Sequence, residues 1–420
     1  MSAAALRRVT PDALPLRDRA GVDAKTLAEA AAIVEDVRTH GEAGLRRHGE
    51  RLGDLEPGGA LVADRAALES ALEALRPEDA AVLRRVADRV RTFAVAQRAC
   101  LAPLDLPIPG GRAGHTLAPV DRAGCYAPSG RFPLPSSVLM TAITARVAGV
   151  PSVWVASPRP TQVTLAAAAV AGADALLQVG GAQAIAALAY GAGPVPRVDT
   201  IVGPGNRWVT AAKQLVFGQV AIDMLAGPSE LVVLADDSAD PEVVAADLLA
   251  QAEHDVDALP ILVTPSAALA DAIDAALAVQ LADLPTADTA RAAVSRGFCV
   301  LTSDLEQGAA VCDRIAPEHL ELLVRDPEAL APRMRHYGGL FIGAGAAEVL
   351  GDYGAGPNHV LPTGGTARYT GGLSVLTFLR VRTWLRVDDP AAAREMVEDA
   401  VALARLEGLE GHARAAERRR

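Results

Sequence analysis

The chain has 420 residues, of which 50% are hydrophobic and 22% charged, the make-up of a globular protein with a large core and room for two or three domains. Aromatics are only 3%, so the core must be built from Ala, Val, Leu and Ile. Forty basic against 51 acidic residues leave a net charge of −11, which excludes a protein that coats nucleic acid; the Arg418-Arg419-Arg420 run reads as a solvated tail.

The first hundred residues read as helices. Residues 25–49 place Leu27, Ala31, Val34 and Val37 at three- and four-residue spacing, one apolar stripe, and 77–100 repeats the pattern behind Pro77. The Pro/Gly-rich segment 103–114 is expected to be a linker or a domain edge. From about Arg122 short apolar runs alternate with helical ones: strands at 152–157, 176–179 and 200–202, helices at 161–171, 182–190 and 207–217. A second series follows, with strands at 230–235, 261–264, 298–301, 320–324 and 340–342 and a helix at 241–253. Strand, turn and helix in that rhythm predict parallel sheets covered by helices, hence two α/β units. Residues 390–420 read as an amphipathic helix interrupted near Gly408 and Gly411.

Cys100, Cys125, Cys299 and Cys312 contain no CxxC pair and are too few for a disulfide framework, which suits a reducing compartment. The first residues lack the apolar run of a signal peptide, and the apolar stretch 163–177 is broken by Asp174. A cytoplasmic protein is expected.

Two strand ends carry glycine in a form that could admit a phosphate, Gly180-Gly181 and Gly203-Pro204-Gly205-Asn206. Neither is a G-x-G-x-x-G turn, the second having Trp208 where the third glycine would be, and taken locally each reads as a tight turn more readily than as a ligand loop. Gly343-Ala344-Gly345 has Glu348 in the corresponding place and is set aside; there is no Walker A sequence.

Chemically capable residues gather in four places. Gln251 and His254, three apart, share a face at a helix end, where either a metal site or a solvated polar end fits. Asp352 and His359 bracket a glycine-studded loop. Glu318-His319 pairs a carboxylate and an imidazole at a strand mouth, a base for water beside a base for an alcohol. Glu407 and His412 flank glycines in the last helical segment, an unfavourable composition that a role at a subunit interface would explain. Two imidazoles with carboxylate and amide oxygens suit Zn²⁺. The same groups without a nucleotide could serve a hydrolase.

Eight stretches, taken in order, resemble the histidinol dehydrogenase family: PSGRFPLPSSVLMTAITARVAGV (128–150), VGGAQAIAALAYG (179–191), VDTIVGPGNRWVTAAK (198–213), IDMLAGPSE (222–230), AADLLAQAEHD (245–255), IAPEHLEL (315–322), GDYGAGPNHVLPTGGTAR (351–368) and EGLEGHA (407–413). The resemblance implies two Rossmann-like α/β domains with parallel sheets, plus terminal helical tail segments at a dimer interface. Its expected partition is a tail at 1–20, a discontinuous larger domain of 21–125 and 231–375, an inserted nucleotide-binding domain at 126–230, and a helical dimerisation tail at 376–420. It implies oxidation of L-histidinol through the aldehyde to L-histidine, the last step of histidine biosynthesis, with one Zn²⁺ per subunit and NAD. By the same resemblance Gln251, His254, Asp352 and His412 hold the metal, His412 coming from the partner in a homodimer. Glu318 and His319 are the acid–base pair; Tyr126, Gln183 and Asn206 contact NAD. Ser229, His359 and Glu407 contact the substrate together with His319 and the metal ligands. Ser129, Thr200 and Cys312-Asp313 depart from the family pattern, the first two at the expected cofactor region.

Overall fold

The computed structural model describes residues 5–15, 22–129 and 132–420. Parts of the expected N-terminal tail (1–4 and 16–20), and Gly130-Arg131 of the first quoted stretch, lie outside them.

Two six-stranded sheets form the frame. In the first, Arg122–Tyr126 is central. Ser152–Ala156 and then Ala175–Leu177 lie on one side, Thr200–Val202 and then Ala221–Ile222 on the other. All these pairings are parallel; Val62–Asp64 closes the edge antiparallel to Ala175–Leu177. The second sheet repeats the plan around Glu230–Ala235. Leu259–Thr264, Phe298–Leu301 and the edge strand Arg7–Val9 lie to one side, His319–Leu323 and Gly339–Ile342 to the other, all parallel. Both sheets therefore reverse their winding beside the central strand.

The helices are set by local signals. Asp23, Asp64, Asn206, Ser266 and Asp304 accept backbone N–H bonds at N-termini, and Gly149 and Gly172 close C-termini in the left-handed conformation. The cores carry few aromatics, as composition demands: Ala166–Ala169 and Ala182, Ala184, Ala186, Ala187 and Ala189 are buried along two helices of the first sheet. Each methyl contributes about 0.8 kcal/mol, and small side chains let a helix lie close to the strands.

Four expectations change. The stripe at 25–49 is two helices, Ala24–His40 and Glu42–Arg51, because Gly41 adopts φ +54 and ends the first. The segment 103–114 is no linker: Leu104–Ile108 and Gly111–Pro119 form a hairpin, and Leu379–Val387 completes an antiparallel sheet along it. The expected helical tail at 376–420 thus opens with a strand, while 390–420 holds two helices, Arg394–Leu406 and Glu410–Glu417, parted at Gly408. The partition joining 21–125 to 231–375 also moves. Helices Ala24–His40, Arg65–Glu73 and Pro77–Ala99 pack on the helices of the first sheet and share its cores, whereas Arg7–Val9, from the expected tail, joins the second. An apolar stripe announces that a face is buried, not what buries it. No helix of the described residues is long and apolar enough to cross a membrane.

Candidate active site

The site residues gather at the amino-terminal edge of the second sheet. Ser229 precedes the central strand, and Glu318-His319 stand at the start of its neighbour. Helix Pro241–Ala252 runs back against the strands, so its end, with Gln251 and then His254, returns to the same edge. Asp352 arrives on the short helix Glu348–Tyr353, and His359 on the loop beyond.

His319 is buried, and its Nδ1 lies 3.2 Å from the Glu230 carbonyl oxygen. A carbonyl can only accept, so Nδ1 carries the proton and Nε2 the lone pair. Nε2 is buried without a partner. Burial above all pushes this imidazole down to about 4, with Asp352 opposing, so it is neutral near pH 7. The Glu318 carboxyl lies 3.8 Å from Nδ1. Burial raises it well above the usual carboxylate range, and the Glu230 N–H and the Ser229 side chain, which hydrogen-bond to it, draw it back.

The metal candidates stand beside this pair. His254 Nε2 is 4.0 Å from Asp352 Oδ2. One nitrogen of His254 and one oxygen each of Asp352 and Glu348 lie within 4.8 Å of one another. Gln251 is fully buried, and neither polar atom of its amide has a partner. Both Glu348 oxygens are likewise unmet. A solvated helix end is therefore wrong for Gln251. Orphaned oxygens beside an imidazole are what a cation completes, so the donor set fits a divalent metal. His359 Nδ1 donates to the Asp352 backbone carbonyl at 3.0 Å, and its Nε2 faces Ser137 Oγ at 3.5 Å.

Glu348 was missed by reading the sequence, where it counted only as a failed glycine position. The available signal was spacing, since Glu348 and Asp352 are four apart on one helix and share a face.

The other candidates do not join this cluster. Tyr126 ends the central strand of the first sheet, and its Oη accepts the Gly181 N–H. Gln183 donates to Asp54, while its Oε1 is buried and unmet. Asn206 Oδ1 caps helix Arg207–Val216. These residues line the carboxyl edge of the first sheet at its reversal, between Arg122–Tyr126 and Thr200–Val202, the place where open α/β sheets bind ligands. Thr200 lies at the opposite end of its strand, away from that crevice. Glu407 and His412 are exposed on the C-terminal helices, and among the described residues no hydrogen bond or ion pair ties their side chains to the cluster.

The family model for histidinol dehydrogenase matches residues 17–420. The histidinol dehydrogenase of Thermus thermophilus is 54% identical over 312 residues, 74% of this chain and 76% of the relative. That of Methylococcus capsulatus is 47% identical over 395 residues, 92% of this chain and 90% of the relative. The crystal structure of histidinol dehydrogenase from Elizabethkingia anophelis superposes with a TM-score of 0.92 at 28% identity, covering 99% of this chain and 98% of that one. The chain belongs to the histidinol dehydrogenase family and is an oxidoreductase.

Proposed function

We propose that this chain oxidises L-histidinol through the aldehyde to L-histidine, the last step of histidine biosynthesis, with NAD and one Zn²⁺ per subunit, in the cytoplasm. The observation that carries the reading is the buried neutral His319, its Nε2 free, next to Gln251 with its unmet amide and the closely grouped His254, Asp352 and Glu348. Gln251, His254 and Asp352 would hold the metal, with Glu348 within reach of the same ion. Zn²⁺, when bound, would grip the amine and imidazole of histidinol and so fix its carbinol carbon. NAD, bound at Tyr126, Gln183 and Asn206, would take up one hydride in each of the two oxidations, two molecules in sequence, for four electrons in all.

The chain's own groups then move the protons. His319 Nε2 accepts the alcohol proton, and the Nδ1–H bond to Glu230 holds the ring in the tautomer that leaves Nε2 basic. Glu318 takes a proton from the water that attacks the aldehyde. A carboxyl raised by burial keeps such a proton better than a solvated one. Ser229, beside Glu318, and His359, beside Asp352, line the same space and are read as substrate contacts.

Glu407 and His412 enter this reading through a second copy. On the antiparallel sheet Val381, Leu385 and Val387 share one face with Leu104, Leu106 and Leu117. Leu385 is 66% exposed, and Leu406 on the adjoining helix 85%. A largely apolar face of this kind, interrupted by Thr383 and His115, seeks a cover, and a homodimer would supply it. Glu407 would then reach the partner's substrate, and His412 the partner's metal.

The test is NADH formation with L-histidinol before and after chelation. Activity that disappears with the metal and returns with added Zn²⁺ is expected. Histidinol turnover without NADH, or turnover indifferent to chelation, would refute the reading.

A further inference from the structure

Lys213 is among the largest fully buried side chains of the described residues, and the chemistry above gives it no task. It projects from helix Arg207–Val216, and its Nζ donates to the Gly203 carbonyl oxygen at 3.1 Å and pairs with Asp223. Asp223 is equally buried. Its Oδ2 accepts the Gly203 N–H at 2.7 Å, and its Oδ1 accepts the Met224 N–H at 2.7 Å. One ion pair therefore holds both backbone polar groups of one glycine.

That glycine is a constrained one. Gly203 has φ +114, and a Cβ there would stand 2.0 Å from the Tyr126 carbonyl oxygen. It is the first residue past the strand, three before Asn206. Thr210, one turn from Lys213 on the same helix face, donates to the Ala226 carbonyl at 2.9 Å, so the helix also fastens the segment leading to Ser229. Burying an ammonium and a carboxylate costs more than packing two apolar side chains of the same volume. What the pair adds here is geometry: a fixed peptide at a turn that packs against the backbone of Tyr126.

We propose that Lys213, held by Asp223, is a positioning residue that sets the 203–206 turn in its ligand-ready shape before the dinucleotide arrives. The proposal rests on the reading of this crevice as the NAD site. The pair touches neither the metal cluster nor His319, so its loss acts on one substrate and not the other.

The test compares Lys213→Met, Asp223→Asn and the double variant Lys213→Met/Asp223→Asn in the full-length enzyme. The double variant leaves no lone buried charge and is the one expected to fold. Its KM for NAD should rise about tenfold, the scale of one lost positioning interaction. Its KM for histidinol and its bound metal should stay within about twofold of wild type, a range worth under ~0.5 kcal/mol. An unchanged KM for NAD, or equal rises for both substrates, would overturn the proposal. Wild-type enzyme that forms no NADH would instead remove the cofactor reading and this premise with it. Should no variant fold, hydrogen exchange of the wild type decides. Protection of the Gly203 amide, the one Asp223 holds, without NAD supports the lock; protection that arises there only on adding NAD rejects it.

Discussion

Glu321 shows what one buried side chain does to the whole protein's response to pH. It is fully buried, one residue beyond Leu320 on the His319 strand, and its Oε1 accepts the Glu348 N–H at 2.8 Å. Burial first, and then the neighbouring Asp247 carboxyl, push it up to about 8. The folded state therefore keeps a proton that the unfolded chain loses above the ordinary carboxylate range. Its contribution is complete at pH 4 and below, and drains away as pH rises towards about 8. Glu321→Gln, permanently neutral and of equal size, should flatten that slope. Urea unfolding at pH 5 and pH 8 should show the variant losing roughly 1–3 kcal/mol less than wild type between the two. Equal losses would contradict the assignment. None of this is visible in the sequence, where Glu321 is the one charged residue of the apolar strand run 320–324.

At the scale of elements, Asn206 serves two masters. Its Oδ1 is committed to the N–H groups of Trp208 and Val209, which leaves its Nδ2 hydrogens for a ligand. Asn206→Asp keeps the cap and loses the donor; Asn206→Ala loses both. The Ala variant should be destabilised by about 1 kcal/mol and the Asp variant hardly at all, while both raise the KM for NAD. A stability loss in both, with NAD kinetics intact, would reduce Asn206 to a cap. The alternation of strands and helices was legible because period-two and period-3.6 patterns follow from backbone geometry. Thr200–Val202, Glu230–Ala235 and Phe298–Leu301 were read to the residue. The hairpin at Leu104–Ile108 and Gly111–Pro119 was not, since Pro107 and three glycines are punctuation unless a third strand, 260 residues on, pairs with them. The cluster around His319 was legible through motifs; Glu348 showed in the sequence only as a spacing of four from Asp352, and the burial that gives this spacing weight is not written in residue type.

Across the whole molecule the two sheets use opposite edges. The metal candidates stand where helix Pro241–Ala252 ends, and a helix C-terminus carries partial negative charge that favours a cation. The cofactor candidates stand where helices Gly181–Tyr190 and Arg207–Val216 begin, and a helix N-terminus favours the anionic groups of a dinucleotide. Polarity thus sorts two kinds of ligand before any side chain is considered. If His412 crosses to the partner, chains carrying His412→Asn and chains carrying His254→Asn should complement. Half of randomly reassorted dimers are mixed, each with one intact site, so about a quarter of wild-type activity should return. No recovery after mixing would confine the site to one chain.

Tryptophan is scarce in this protein, with three in 420 residues, and Trp208 sits two positions past Asn206 with the Arg207 guanidinium 4.3 Å above its ring. The rim of the crevice therefore carries its own lamp. Indole emission overlaps the absorption of a reduced nicotinamide, so NADH settling there should dim the glow and brighten its own, and occupancy could be followed without a label or a second substrate.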